Sequence, residues 1–138
     1  MPKVNWNAVE DQDFSPIPEG KYEAQIESVR TTQKDSDEPL VTRNGDEMWS
    51  VKFNILGPKY AGRKVFTNLI FNDGGYGNIK KLYSAIFGTK LPKNCDPSDI
   101  IDEKVAIDVT ITEYNGKQGN SIPYAGYYKS EAEDEEFV

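Results

Sequence analysis

Two groups of residues in this chain combine positive charge with aromatic rings. Lys52, Lys59, Tyr60, Arg63, Lys64 and Phe66 form the first, and Tyr114, Lys117, Tyr124, Tyr127 and Lys129 the second. Ammonium and guanidinium groups hold phosphate oxygens, and rings stack on unpaired bases; together they are what grips single-stranded nucleic acid. The chain carries 8 Tyr, 6 Phe and 2 Trp, more than a core of this size consumes.

Other chemistries find less support. With no histidine in the sequence, His-containing zinc and catalytic sites are excluded. Cys95 is the only cysteine, so no intramolecular disulfide forms, and Asn94 and Asp96 beside it offer no base to activate a thiolate. Acidic residues fall singly on strand faces or in tails, without a paired carboxylate and supporting base. Asp73-Gly74-Gly75-Tyr76-Gly77 follows a strand and opens a helix, as a phosphate loop would. It matches neither the dinucleotide fingerprint nor GxxxxGK[ST] and reads as a turn, although a helix N-terminus can hold one backbone phosphate. We expect no enzyme activity, no cofactor and no metal.

The formal net charge of −7 argues against a polyanionic partner, but its distribution does not. Glu131, Glu133, Asp134, Glu135 and Glu136 crowd the last eight residues, and Glu10, Asp11, Asp13 and Glu19 face only Lys3 in the first twenty. Residues 21–129 hold 15 basic and 14 acidic side chains, so the body is close to neutral.

The elements that position the two groups follow from periodicity. Glu47–Leu56 alternates Trp49, Val51, Phe53 and Ile55 with Ser50, Lys52 and Asn54, a strand with one apolar and one polar face. Gly57–Gly62 is a basic glycine turn, and Arg63–Phe71 returns as a strand whose faces divide less cleanly, with Phe66 and Ile70 near a rim. Before this pair, Lys21–Thr32 reads as a strand in which Val29 falls out of phase with Tyr22, Ala24 and Ile26. A bulge near Glu27-Ser28 accounts for that slip. Thr31–Asp46 is a long polar loop or irregular hairpin within which Leu40 and Val41 could pair.

Ile79, Leu82, Tyr83 and Ile86 give the one clear amphipathic helix, Asn78–Phe87, with Asn78 as N-cap, Gly88 as stop, and Lys80 and Lys81 on its outer side. Val105, Ile107, Val109 and Ile111 define a fourth strand. Tyr114–Asn120 contains the Asn115-Gly116 turn signal, and Ser121–Lys129 is the fifth strand. Five strands with a helix between the third and fourth is the layout of an OB-fold, an all-β five-stranded barrel. Its second and third strands and its 1–2 and 4–5 loops form the binding face, where both residue groups fall.

We therefore expect an extended arm over residues 1–20, pinned by Trp6 and Phe14, an OB-fold domain over 21–129, and a disordered acidic tail over 130–138. That tail, with Glu133, Asp134, Glu135, Glu136, Phe137 and Val138, can dock on a partner through its terminal carboxylate and apolar end, or cover the protein's own cationic groove. No 18-residue apolar run and no hydrophobic leader occur, so an intracellular protein without a membrane partner is expected.

Lys3-Val4-Asn5-Trp6, Asp13-Phe14-Ser15-Pro16, Gly20-Lys21-Tyr22, the run Gly57–Phe66 and Glu113-Tyr114-Asn115-Gly116-Lys117 give the chain a further character. Over nearly the whole domain it resembles a family of small bacteriophage and prophage proteins long catalogued as a domain of unknown function. The family is regarded as single-stranded-DNA-binding. The resemblance implies DNA coating without sequence preference in phage replication or recombination, in the cytoplasm of the bacterial host. The tail also resembles that of bacterial and phage single-stranded-DNA-binding proteins, in which an acidic end finishing in a hydrophobic residue recruits partners, and so implies recruitment of a recombinase, annealase, helicase or polymerase. Val138 after Phe137 departs from the common bacterial tail ending, which favours a phage-encoded receptor. The near-neutral body leads us to expect dimerisation, as a homodimer, or cooperative coating. The competing expectation is a protein-interaction module or phage accessory factor that binds no nucleic acid.

Overall fold

The computed structural model describes residues 15–131. Alternation over Met48–Gly57 (β2) resolves as expected, with Trp49, Val51, Phe53 and Ile55 buried and Ser50, Lys52 and Asn54 on the opposite face. Its neighbours are β1 (Gly20–Arg30) and β3 (Lys64–Ile70), both antiparallel to it. The register slips between Ile26 and Ser28, so Glu27 is the extra residue of a bulge, as Val29's phase implied. Helix α1 (Tyr76–Phe87) lies between β3 and β4 (Lys104–Tyr114); β5 (Lys117–Ser121) and β6 (Tyr127–Lys129) complete the sheet.

The expected closed five-stranded barrel is not what forms. The sheet is open, with six strands among the described residues, in the order β3-β2-β1-β4-β5 and with β6 pairing separately with β4. Among these residues no ladder joins β3 to β5. The reason lies in the segment read as one fifth strand. Asn115 and Gly116 both have positive φ and make a tight turn, so β5 starts directly at Lys117. Pro123, which has no N–H, and Ala125, at φ 62, then interrupt it. The resumed piece, β6, pairs with Val105–Ile107 instead. Side chains occupy the seam where closing hydrogen bonds would lie. Tyr127 Oη donates to Thr67 Oγ1 at 3.4 Å, and Tyr124, Ile122, Thr67 and Asn68 line an open cleft there.

The core sits on one face of the sheet, filled by Ile26, Val51, Phe53, Val65, Leu69, Val105, Ile107 and Tyr127, and joined by Ile79, Leu82 and Tyr83 of α1. The helix begins two residues before the expected start. Gly75 is the N-cap, and Asn78, expected there, instead accepts a hydrogen bond from Ala125 N–H at 2.8 Å and ties the helix to the β5–β6 connection. Gly88 ends the helix as expected. A Cβ at Gly75 would lie 1.9 Å from the Ile70 carbonyl oxygen, so no other residue fits this corner.

Ahead of β1, Ile17 is buried and its backbone is held from both sides by the Asn120 amide, at 2.8 and 3.0 Å. Trp6 and Phe14 lie outside the described residues. The 31–46 loop is an irregular hairpin with single bridges at Thr32–Pro39 and Val41–Glu47.

Candidate nucleic-acid interface

The outer face of β2 and β3 gathers the first residue group. Antiparallel register sets Lys52 opposite Phe66 and Asn54 opposite Lys64, all four on the side away from the core. Phe66 is 53% exposed, an unusual state for a phenylalanine in the middle of a strand. Lys52 Nζ lies 5.9 Å from its ring centroid, within cation–π range.

The bulge supplies a residue that the sequence reading missed. Glu27 reaches between the two lysines, with Oε1 at 2.5 Å from Lys64 Nζ and Oε2 at 3.2 Å from Lys52 Nζ. Lys64 also donates to Asn54 Oδ1 at 2.9 Å. Hydrogen bonds from Lys64 and then Lys52 hold the Glu27 carboxyl below the ordinary glutamate range. The signal for Glu27 was present in the sequence, because the phase slip that marks the bulge also turns its extra residue outward.

The β2–β3 turn places Lys59 and Tyr60 in solvent. Tyr60 is 40% exposed and meets Tyr22 of β1 edge-on at 6.2 Å, a second partner not anticipated from sequence. Burial, and then the neighbouring Tyr60, push the Tyr22 hydroxyl pKa up. Lys59 lines an open cleft with Lys21, Tyr22 and Glu23. Arg63 serves the scaffold instead, since its guanidinium donates to the Ser15 carbonyl and holds the lead-in to β1.

The second group does not assemble into one surface. Tyr127 is fully buried, with its ring stacked on Phe53 at 6.2 Å, so it belongs to the core and not to a binding face. Tyr124 is 62% exposed and its hydroxyl sits over Gly77 at the start of α1, beside the β3 seam. Lys117 is exposed at the far hairpin, and Lys129 lies beside Asp102, Glu103 and Lys104 in a cleft against α1. Tyr114 ends β4, and its side chain is outside what the structure describes, as are Glu133, Asp134, Glu135, Glu136, Phe137 and Val138.

A family model described as "Protein of unknown function (DUF669)" matches residues 3–134, which takes in every strand, the helix and the exposed rings. The chain belongs to this family. No curated protein matches the chain.

No group of three or more His, Cys, Asp and Glu side chains among the described residues is placed to hold a metal ion. No helix among them is long and apolar enough to cross a membrane. What the β2–β3 face presents is one accessible ring, two ammonium groups and the amide of Asn54, all at fixed register. Such a surface can stack a base and neutralise the phosphates on either side of it.

Proposed function

We propose that this DUF669 domain binds single-stranded DNA without sequence preference on the outer face of its open sheet, in phage replication or recombination within the bacterial host cytoplasm. The observation that carries the reading is Phe66, more than half exposed mid-strand and flanked by Lys52 and Lys64. A buried-core role does not account for a ring turned toward water beside two ammonium groups. Tyr60 extends the stacking surface from the turn, and Lys59 adds charge at its edge. Residues 1–20 serve as an arm, 21–129 as the binding domain, and 130–138 as an acidic tether whose Phe137-Val138 end recruits replication or recombination proteins. Affinity per protomer is modest, because Glu27 offsets one of the two lysine charges, so coating is cooperative or dimer-assisted.

The test is a salt titration of the full-length protein against labelled poly-dT, repeated with a protein ending at residue 130. Binding that weakens steadily with salt, and tightens when the acidic tail is removed, is the expected result. Absence of binding at low salt in both proteins rejects the nucleic-acid reading and leaves the protein-interaction module.

A further inference from the structure

A second cationic station lies on the same outer face, at the opposite side of the sheet. Tyr128 of β6 points away from the core that its neighbour Tyr127 fills, and two ammonium groups meet its ring. Lys21 Nζ from β1 stands 4.5 Å from the centroid and Lys81 Nζ from α1 stands 5.2 Å from it. Three separate elements therefore converge on one ring.

The ring itself is anchored. Tyr128 Oη donates to Asp108 Oδ2 at 2.7 Å, and that bond is the main cause of its raised pKa. The two carboxylates that the register brings alongside accept hydrogen bonds from neutral donors and keep their charge, without pairing with either lysine. Asp108, opposite Lys21, accepts from Tyr128, while Glu23, beside Ala106 and hence Tyr128, accepts from Ser130 Oγ and Glu131 N–H. Neither Lys21 nor Lys81 forms an ion pair among the described residues; the two that are formed both belong to Glu27.

We infer that Lys21, Lys81 and Tyr128 form a phosphate-binding station that holds the backbone of the same single strand that Phe66 stacks. This inference rests on the nucleic-acid reading and extends it across the sheet. From β6 through β4, β1 and β2 to β3 is four strand spacings, on the order of 19 Å. The register sets Phe66 and Tyr128 five residues apart along β1, on the order of 15 Å, so the span is several nucleotides long. Asn54, Gln25 and Lys104, set opposite one another in register, make the intervening row polar. The ammonium groups, not the ring, are the contacting atoms, because the lysines already occupy the ring's approach.

The deciding experiment compares full-length wild type, the double variant Lys21→Gln/Lys81→Gln, Lys80→Gln and Phe66→Ala by fluorescence anisotropy with labelled oligo(dT) across a salt series, with thermal melts alongside. Glutamine keeps most of each stem over Tyr128 and removes the charge. The double variant is expected to bind several-fold more weakly, with a log–log salt slope shallower by roughly 1.4, two phosphate contacts at about 0.7 each. Lys80→Gln, exposed next in sequence but without a ring contact, should leave the slope near that of the wild type. The inference is overturned if the double variant matches wild type while Phe66→Ala weakens binding, or if Lys80→Gln has the same effect as the pair. Wild type that binds no oligo(dT) removes the underlying reading as well.

Discussion

The Phe66 end and the Tyr128 end of the outer face use the same parts, a ring and two lysines, yet differ in one respect. At the Phe66 end an acidic residue pairs with both ammonium groups; at the Tyr128 end the nearby carboxylates accept from Tyr128 Oη and Ser130 Oγ and pair with neither lysine. The difference originates in a backbone irregularity. Without the bulge, β1 would present a regular alternation to β2, and no extra side chain would point between Lys52 and Lys64. On the proposed reading, the lysines at one end exchange Glu27 for a phosphate when the strand binds. At the other, Asp108, Glu23 and Glu131 keep their charge nearby, but among the described residues none of them forms an ion pair with Lys21 or Lys81.

That contrast can be broken or sharpened by substitution. The largest effect belongs to Tyr127, the inward neighbour of Tyr128. Tyr127→Ala removes a fully buried ring stacked on Phe53 and should cost about 3–5 kcal/mol in denaturant-unfolding free energy, dismantling the scaffold that holds both ends. A loss below about 1 kcal/mol, by the same measurement, would show that the two faces of β6 are misassigned.

Next comes the exposed ring. Phe66→Ala, and Tyr60→Ala to a smaller degree, should lower oligo(dT) affinity by about 1–3 kcal/mol per stacked base while leaving the unfolding curve nearly unchanged. Unaltered affinity in both variants would remove this end from the interface.

The smallest change is the most discriminating. Glu27→Gln should strengthen binding by about two- to tenfold, since it releases both lysines from exposed, solvent-screened ion pairs. It should also steepen the salt slope by about 0.7. The pH dependence has a definite sign. Glu27's folded pKa lies below its unfolded value, so its contribution to stability is present above the ordinary glutamate pKa and is lost as pH falls through the depressed value. Over that same descent the wild type releases its lysines, and the binding advantage of Glu27→Gln closes. An advantage constant with pH would mean that Glu27 does not act through its charge.

Much of the scaffold can be read from residue order. The inner face of β2 follows from strict alternation, and the bulge from a single apolar residue out of phase. Helix α1 follows from the spacing of Ile79, Leu82 and Tyr83. Closure cannot be read in this way, because alternation reports which side of a strand is greasy and not whether two sheet edges bond. The open sheet instead depends on Pro123 and Ala125 diverting the chain onto β4. Tyr127 and Tyr128 show a related limit. A strand of three residues is too short to establish a phase, so pattern alone assigns to the surface a Tyr127 that fills the core, and passes over the outward Tyr128. Residue type alone makes Asn78 a cap, whereas its carbonyl serves the β5–β6 connection, a demand that exists only once the chain has folded. Helical spacing does put Lys81 on the outer side of α1, but its neighbours come from β1 and β6, far away in sequence.

The corner at Gly75 has one more effect. Because the chain there lies against the Ile70 carbonyl with no room for even a methyl group, the strand bearing Phe66 and the helix bearing Lys81 meet at a tight elbow. That corner fixes how closely the two ends of the outer face approach through β3 and α1. On the proposed reading, a pliable polymer laid across them conforms to that spacing, and the domain acts as a template rather than a clasp.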